Sequence, residues 1–468
     1  METGPFRLTS HFLLFNFLLL CSPSVVLAQW EPDVRLTHDD SASMTSYFKS
    51  ARSLALGPGQ DLYVVWYDTR DGKKEVYFKP STDGGDTWSS DARLTYSPAD
   101  AWVASIATSG PAIHVVWLDG RDGNNEIYYK RSSDRGTSWG PDTRLTWDPN
   151  PSYDPAVAVS DSVVHVIWGD QSGGDDGVFY CRSTNWGSTW SSMARLNSGS
   201  SWPGPSLCAS GQDVYAVSMD MEFIHFDRST DWGFTWSRDT ALVQSPRGAG
   251  YPSVDAQGSQ VHLVWQDARD TGEEVYYKRS TDRGATWTAD TRLTFDSSYT
   301  GISSIVISDP LVHVVWWDGR DGDLELYYKR SMDGGLTWGA DERLTRAPNA
   351  SIYPSLVAAG SVLHLVWADS RDGNREIYYK RNPTGNSGVE VSPSPESRVT
   401  SYRVFPNPFT SFATLPGRSS ERFALYDISG RKVGTYQGDR IGDGLPPGVY
   451  FLWESGGGYP PVRIVKVR

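Results

Sequence analysis

Ser280-Thr-Asp-Arg-Gly-Ala-Thr-Trp287 is one of six copies of a single phrase, Ser-x-Asp-x-Gly-x-Thr-Trp, with Asn for Asp once and Ser for Thr once. The copies start at Ser81, Ser132, Ser183, Ser229, Ser280 and Ser331, and their tryptophans stand 51 residues apart in every interval but one of 46. A period of this size means one supersecondary unit stacked on copies of itself, since such a unit cannot bury its apolar face alone. A residue present in every copy builds the copy. Chemistry is therefore sought where the copies differ.

Each repeat reads as four short strands. In the last complete one, Ile302–Ile307 is apolar and innermost, and Leu311–Trp317 is a nearly continuous apolar run, as for a strand buried on both faces. Asp318–Asp323 is a turn signal, Leu324–Arg330 is Tyr-rich, and Glu342–Thr345 follows the phrase. Four strands repeated about a ring make a β-propeller blade. The hairpin Trp-x-Asp-x-Arg-Asp begins at Trp66, Trp117, Trp265, Trp316 and Trp367, and recurs in altered form after Trp168 and at Ser218-Met-Asp220, which makes seven. The Arg-Leu-Thr strand also occurs seven times if Arg195-Leu-Asn and Ala241-Leu-Val count. Its first copy, Arg35-Leu-Thr37, stands alone, and the last unit stops at Tyr378–Arg381. The expectation is an all-β, seven-bladed propeller over residues 30–381, closed by the N-terminal strand so that no sheet edge is left for stray pairing.

The flanks read differently. Residues 1–28 carry Arg7, the apolar run Phe12–Leu20 and the small-residue site Val26-Leu27-Ala28 of a secretory signal. No later stretch is apolar enough to cross a bilayer. Residues 382–400 are a Pro/Gly/Ser linker, and 401–468 hold apolar segments between Gly/Pro turns, as in a small β-sandwich. The formal charge of −13 is uneven: −16 falls on residues 30–381 and +4 on 401–468. An acidic surface excludes nucleic acid and anionic membrane as partners. Cys181 and Cys208 lie in adjacent repeats, either bridged or as two partly buried thiols.

The repeated phrase resembles the Asp-box, or BNR repeat, of sialidase-type propellers. The resemblance implies that Asp83, Asp134, Asn185, Asp231, Asp282 and Asp333 hold the turn. It also implies that Trp88, Trp139, Trp190, Trp236, Trp287 and Trp338 pack between sheets as buried tryptophans. Sialidases hold a carboxylate with three arginines and use a Tyr nucleophile with a Glu, plus an Asp acid/base, unlike the usual two-carboxylate plan. Their first arginine stands in Arg-Ile-Pro; here the strand reads Val34-Arg-Leu-Thr37, and no unique arginine triad or catalytic residue maps. The tail, through Val404–Phe409, Leu425–Val433 and Leu445–Leu452, resembles the type A sorting domain of the bacterial type IX secretion pathway. That implies the secretion machinery as a partner of 401–468, and release or display at the outer-membrane surface of a Gram-negative bacterium.

His114, His165, His262, His313 and His364 each precede their blade's Trp by three residues. Equivalent points around a ring are too far apart to share one ion with bonds near 2 Å, so the reading is structural and no metal is assigned. The Asp-x-Arg-Asp hairpins are read as blade-to-blade ion pairs. Calcium is the lesser reading, best placed at Asp170–Asp176. One aromatic recurs before each innermost strand: Tyr47, Trp102, Tyr153, Trp202, Tyr251, Tyr299 and Tyr353. These should ring the channel on the hairpin face and stack on sugars or grip a peptide. The fourth unit lacks the Arg-Asp-Gly turn, is five residues shorter and has Ser218 for Trp, which should leave a notch beside Trp202 and Arg247. The expected function is binding of a glycan or protein without catalysis or cofactor. The alternatives are exo-sialidase activity and a purely architectural role.

Overall fold

The computed structural model describes residues 30–46, 52–171, 176–198, 204–270, 272–296, 298–384, 410–414, 422–427, 431–437, 440–442, 444–454 and 462–466. The signal segment, the 385–400 part of the linker, Tyr47, Trp202 and Val404–Phe409 lie outside them. The chain divides into two compact units, 1–389 and 390–468.

All described elements are strands, and the first unit holds seven antiparallel sheets. Sheet 2 is typical: Ala101–Ser109, Ala112–Asp119, Glu126–Ser132 and Thr143–Arg144 pair in chain order. Sheets 1, 3, 4, 5 and 6 span residues 43–93, 152–198, 206–244, 249–292 and 300–343. Sheet 7 takes Ser351–Ala359, Val362–Asp369 and Glu376–Asn382, with Val34–Arg35 as its outer strand (Val34 opposite Tyr379, Arg35 opposite Tyr378). The innermost strands touch in order around the unit, and Ser351–Ala359 touches Leu54–Leu56 in turn. Such sheets fit a β-propeller.

In every sheet but the fourth, the second strand carries the largest buried side chain: Trp66, Trp117, Trp168, Trp265, Trp316 and Trp367, all at most 1% exposed. Each of these indoles donates to the Asp two residues on, as Trp117 Nε1 does to Asp119 at 3.0 Å. The phrase tryptophans are expected to pack as buried residues between sheets; they do pack there, but are only partly buried. Each stands edge-on to the third-strand aromatic of the preceding sheet, as Trp139 to Phe78 (5.1 Å) and Trp88 to Tyr379 (5.1 Å). Trp30 does the same to Tyr328 at 5.4 Å. The N-terminal segment thus supplies sheet 7 with a phrase tryptophan as well as a strand. Trp30-Glu-Pro-Asp-Val-Arg-Leu-Thr37 has the spacing of Trp88-Ser-Ser-Asp-Ala-Arg-Leu-Thr95, a match that sequence reading passed over.

The phrase itself lies between third and fourth strands. In all six copies the Ser hydroxyl donates to the Asp or Asn side chain at 2.7–2.8 Å. The same side chain accepts the N–H four residues on at 2.8–2.9 Å. These bonds, led by that from the Thr87 hydroxyl, hold Asp83 down at about 2.

The hairpin ion pairs close within a sheet rather than between blades. Arg121 reaches Asp119 (2.6 Å) and Asp142 (2.9 Å), and Lys130 reaches Asp142 at 2.9 Å, all in sheet 2. The reason is reach: the tight turn aims the guanidinium back along its own strand pair. Across the seam between sheets, Lys130 donates to the Leu94 carbonyl, just past the preceding sheet's outer strand, and Arg131 donates to the Trp186 carbonyl in the next sheet's phrase turn. Arg70, which also meets Asp39 of the preceding connection at 2.7 Å, is an exception.

The second unit has a four-stranded antiparallel sheet, in the order Lys432–Gln437, Arg422–Asp427, Gly448–Glu454, Val462–Lys466. A small sheet pairs Ala413–Thr414 with Arg440–Ile441, and Ile441 joins Phe423, Leu425, Tyr450, Leu452 and Ile464 in one core. Among the described residues no helix is long and apolar enough to cross a membrane.

Candidate functional site

The repeats diverge most at one register, the residue after the second-strand Trp or its substitute. It is Tyr67, Leu118, Gly169, Met219, Gln266, Trp317 and Ala368, different in every sheet. In four sheets its cross-strand partner on the innermost strand offsets its size: Tyr153 faces Gly169, Gly250 faces Gln266, Gly301 faces Trp317 and Ile352 faces Ala368. Sheet 2 pairs two large residues, Trp102 and Leu118. Where one strand carries a glycine or alanine, the close backbone spacing leaves room for bulk on the other. A Cβ at Gly301 would lie 2.0 Å from Trp317 Cζ2, because that indole occupies the space.

This pairing corrects the idea that one aromatic recurs in one place. Trp102 and Tyr153 share the register. Tyr251 and Tyr353 sit one residue later, on a bulge with φ of 56° and 58°, where Val103 and Asp154 stand in sheets 2 and 3. Tyr299 precedes its strand. In sheet 1 the register belongs to Met44, paired with Tyr67. Val103 and Asp154 share the positive φ (52° and 48°), so the bulge belongs to the repeated scaffold and only the side chain placed on it differs.

Two aromatic groups result at the hairpin end. On sheets 1 and 2, Tyr67 meets Trp102 edge-on at 6.5 Å, with the Lys74 ammonium 4.1 Å over Trp102. On sheets 5 to 7, Tyr251 and Tyr353 pack against the cluster holding Trp317 and Ile352, and Tyr299 lies 4.9 Å from Trp317. Tyr299 is 52% exposed, whereas Trp317 and Gln266 are each 6%. Gln266 donates to Glu273 (2.5 Å) and to the Thr300 carbonyl (2.7 Å). Gln266 Oε1 and Trp317 Nε1 are buried without a hydrogen-bond partner. Burial pushes Tyr153 above its ordinary pKa.

Arg247 is exposed and donates to the Asp270 carbonyl at 3.0 Å, across to the hairpin of sheet 5. The fourth sheet has recast its own ion network. His225 stands between Asp220 (3.0 Å) and Asp239 (3.1 Å), where other sheets place an arginine between two aspartates. Asp239 raises His225 to about 9. Asp227 replaces the seam lysine and is pushed up to about 7 by burial.

The five strand histidines each meet a tyrosine hydroxyl at 2.7 Å, as His165 meets Tyr180. Burial lowers them to about 3 or 4. Among the described residues no group of three or more His, Cys, Asp or Glu is arranged to hold a metal ion, and 172–175 lie outside them. Cys181 and Cys208 are free and buried. A cavity of about 280 Å³ runs among the innermost strands, mostly aliphatic, with Arg52 bound to Asp255 at 2.8 Å.

No curated protein matches the sequence. Among solved structures, the polysaccharide lyase Uly1 is similar at a TM-score of 0.51 and 9% identity, over 76% of this chain and 99% of that one. The Hadza microbial sialidase Hz136 gives 0.43 and 16%, over 68% and 73%. An oligogalacturonate lyase from Vibrio parahaemolyticus gives 0.48 and 10%, over 76% and 94%. Likeness at such identities concerns the fold alone. The model for the BNR repeat-like domain matches residues 119–365, more than half of the 468-residue sequence. With six Asp-box turns built alike and sheets of four strands around them, the chain belongs to the BNR repeat-like domain family.

Proposed function

We propose that residues 30–381 form one closed seven-bladed propeller that binds a glycan at its hairpin end. The reading is carried by one observation: Tyr251, Tyr299 and Tyr353 gather around the cluster holding Trp317 on sheets 5 to 7. Aromatic faces with a few polar groups between them are what a sugar ring stacks on. Closure is supported by the Val34–Arg35 strand in sheet 7 and by the Ser53 N–H donating to Ser355 Oγ at 3.1 Å.

Full-length protein on a broad glycan array should bind, and Tyr299→Ala should lose that binding while keeping its melting temperature. No binding anywhere on the array by folded protein would refute the proposal.

Sialidase action is the second reading, favoured by family membership. Against it, the hairpin arginines Arg121, Arg269, Arg320 and Arg371 are each held by two aspartates. Release of a fluorogenic aglycone from sialosides would decide for it.

The second unit is, on this proposal, a type A sorting domain of type IX secretion, delivering the propeller to the outer-membrane surface or the medium. The support is the Leu445-Pro-Pro-Gly-Val-Tyr-Phe-Leu452 segment and the one apolar core that the two small sheets share. Deleting 401–468 should leave the protein in the periplasm. Delivery to the surface without the tail would refute the assignment.

A further inference from the structure

We propose that the cavity among the innermost strands is a binding site for a small α-amino acid with an aliphatic side chain, its carboxylate on Arg52 and its ammonium on Asp255. This goes beyond the glycan reading and does not rest on it.

Both residues break the repeat. Asp255 pairs with His262 across its strands, and at that register the other sheets carry Ala55, Ala107, Ala158, Cys208, Val306 and Val357. Arg52 directly precedes Ser53, the place that Ala104, Pro155, Pro205, Pro252, Ser303 and Pro354 hold in sheets 2 to 7. A charge present in one copy alone is not needed to build a blade. Arg52 Nη2 donates to Asp255 Oδ1 at 2.8 Å, from sheet 1 to sheet 5. Those sheets do not adjoin in the order of innermost-strand contacts, so the pair spans the cavity. Among the described residues that line it, these two alone are charged.

The pair is also unsaturated. Hairpin arginines such as Arg121 and Arg269 are each held by two aspartates, whereas Arg52 gives one donor to one aspartate. Its Nε and Nη1 meet no protein acceptor, and with the side chain 37% exposed they are open to the solvent of the cavity. Asp255 takes Arg52 on Oδ1 and the Ile307 N–H on Oδ2 at 2.9 Å, which leaves acceptor lone pairs on both oxygens. The wall around them is aliphatic, with Ile106, Val159, Leu207 and Ile307 in it. Its volume of about 280 Å³ lies just under the roughly 300–1,000 Å³ of pockets for drug-sized ligands, so the occupant is small. A lone carboxylate or a lone amine would bring an uncompensated charge to this wall. An apolar molecule would take water from the Arg52 donors and put nothing in its place. An aliphatic amino acid answers both charges, adds no net charge, and lays its side chain on the wall.

The experiment titrates full-length protein calorimetrically with leucine, with isocaproate, which lacks the amine, with isoamylamine, which lacks the carboxylate, and with asparagine, which has leucine's shape but a polar side chain. Leucine should bind, and each of the other three at least about tenfold more weakly. Arg52→Gln and Asp255→Asn should each weaken leucine by about tenfold or more, with circular dichroism melts to verify the fold. If either variant fails to fold, the ranking of the four ligands on the unaltered protein still decides. Isocaproate or isoamylamine binding as tightly as leucine would overturn the paired-charge recognition, and asparagine doing so would overturn the aliphatic class. Leucine binding unchanged in both folded variants would overturn the cavity as its place. Absence of leucine binding by folded protein would remove the proposal and leave the glycan reading untouched.

Discussion

Trp117 and Trp139 show how differently one residue type works in this repeat. Trp117 is wholly buried, with its indole bonded to Asp119, while Trp139 lies half open against Phe78. Trp117→Ala should therefore destabilise by about 3–5 kcal/mol and Trp139→Ala by clearly less, which chemical denaturation of the two variants will compare. The strand histidines carry a second consequence. Each is neutral in the fold, with a pKa near 3 or 4 against an ordinary 6.5. Protons therefore bind the unfolded chain first. The histidine contribution is complete above about pH 6.5 and is lost as pH falls through 4. Denaturation midpoints should decline steadily over that window, and a flat profile between pH 6.5 and 4 would contradict it. These histidines were legible from spacing alone, since no common ion fits ring-related points. Their tyrosine partners lie fifteen residues away and emerge only once the second and third strands pair.

At the scale of the sheet, the fourth is the one rebuilt. His225 takes over the arginine's place between two aspartates, and Asp227 stands where Lys79, Lys130, Lys278, Lys329 and Lys380 stand elsewhere. Asp227 holds its proton to about pH 7 in the fold but only to about 3.8 when unfolded, so folding is favoured below 3.8 and that gain fades as pH rises through 7. His225, raised to about 9, acts in the same sense, with its gain complete below 6.5 and lost through 9. Asp227→Asn should therefore raise the melting temperature at pH 8 and leave it nearly unchanged at pH 4. Equal shifts at both pH values would count against a buried proton. Sequence inspection singled out the fourth unit for its missing turn and for Ser218. The two replacements stayed hidden because His225 takes the register of the third-strand Tyr128, and only its contacts in the fold set it between two aspartates.

For the whole first unit, the N-terminal segment closes the accounts of sheet 7: Val34–Arg35 as a strand, Asp33 for Arg371 and Lys380 at 2.7 and 2.8 Å, and Trp30 for Tyr328. Removing 30–37 takes all three away at once. The truncated chain should unfold at a lower temperature and less cooperatively than Trp30→Ala alone, as a calorimetric comparison would show. Equal melting of the two would mean that the strand contributes little.

A period of 51 residues with a Ser-Asp-Gly-Trp turn determines four strands per unit and their order, since local turn hydrogen bonds and short continuous apolar runs need no distant partner to be read. Register is another matter. Sequence alone grouped seven aromatics as equivalent, whereas strand pairing separates Trp102 and Tyr153 from Tyr251 and Tyr353, sets Tyr299 apart and promotes Trp317. A shift of one residue turns a side chain to the opposite face, and the bulge that causes it is fixed by what packs across the strand. The volume left by Gly301 becomes visible only with the Trp317 ring lying in it.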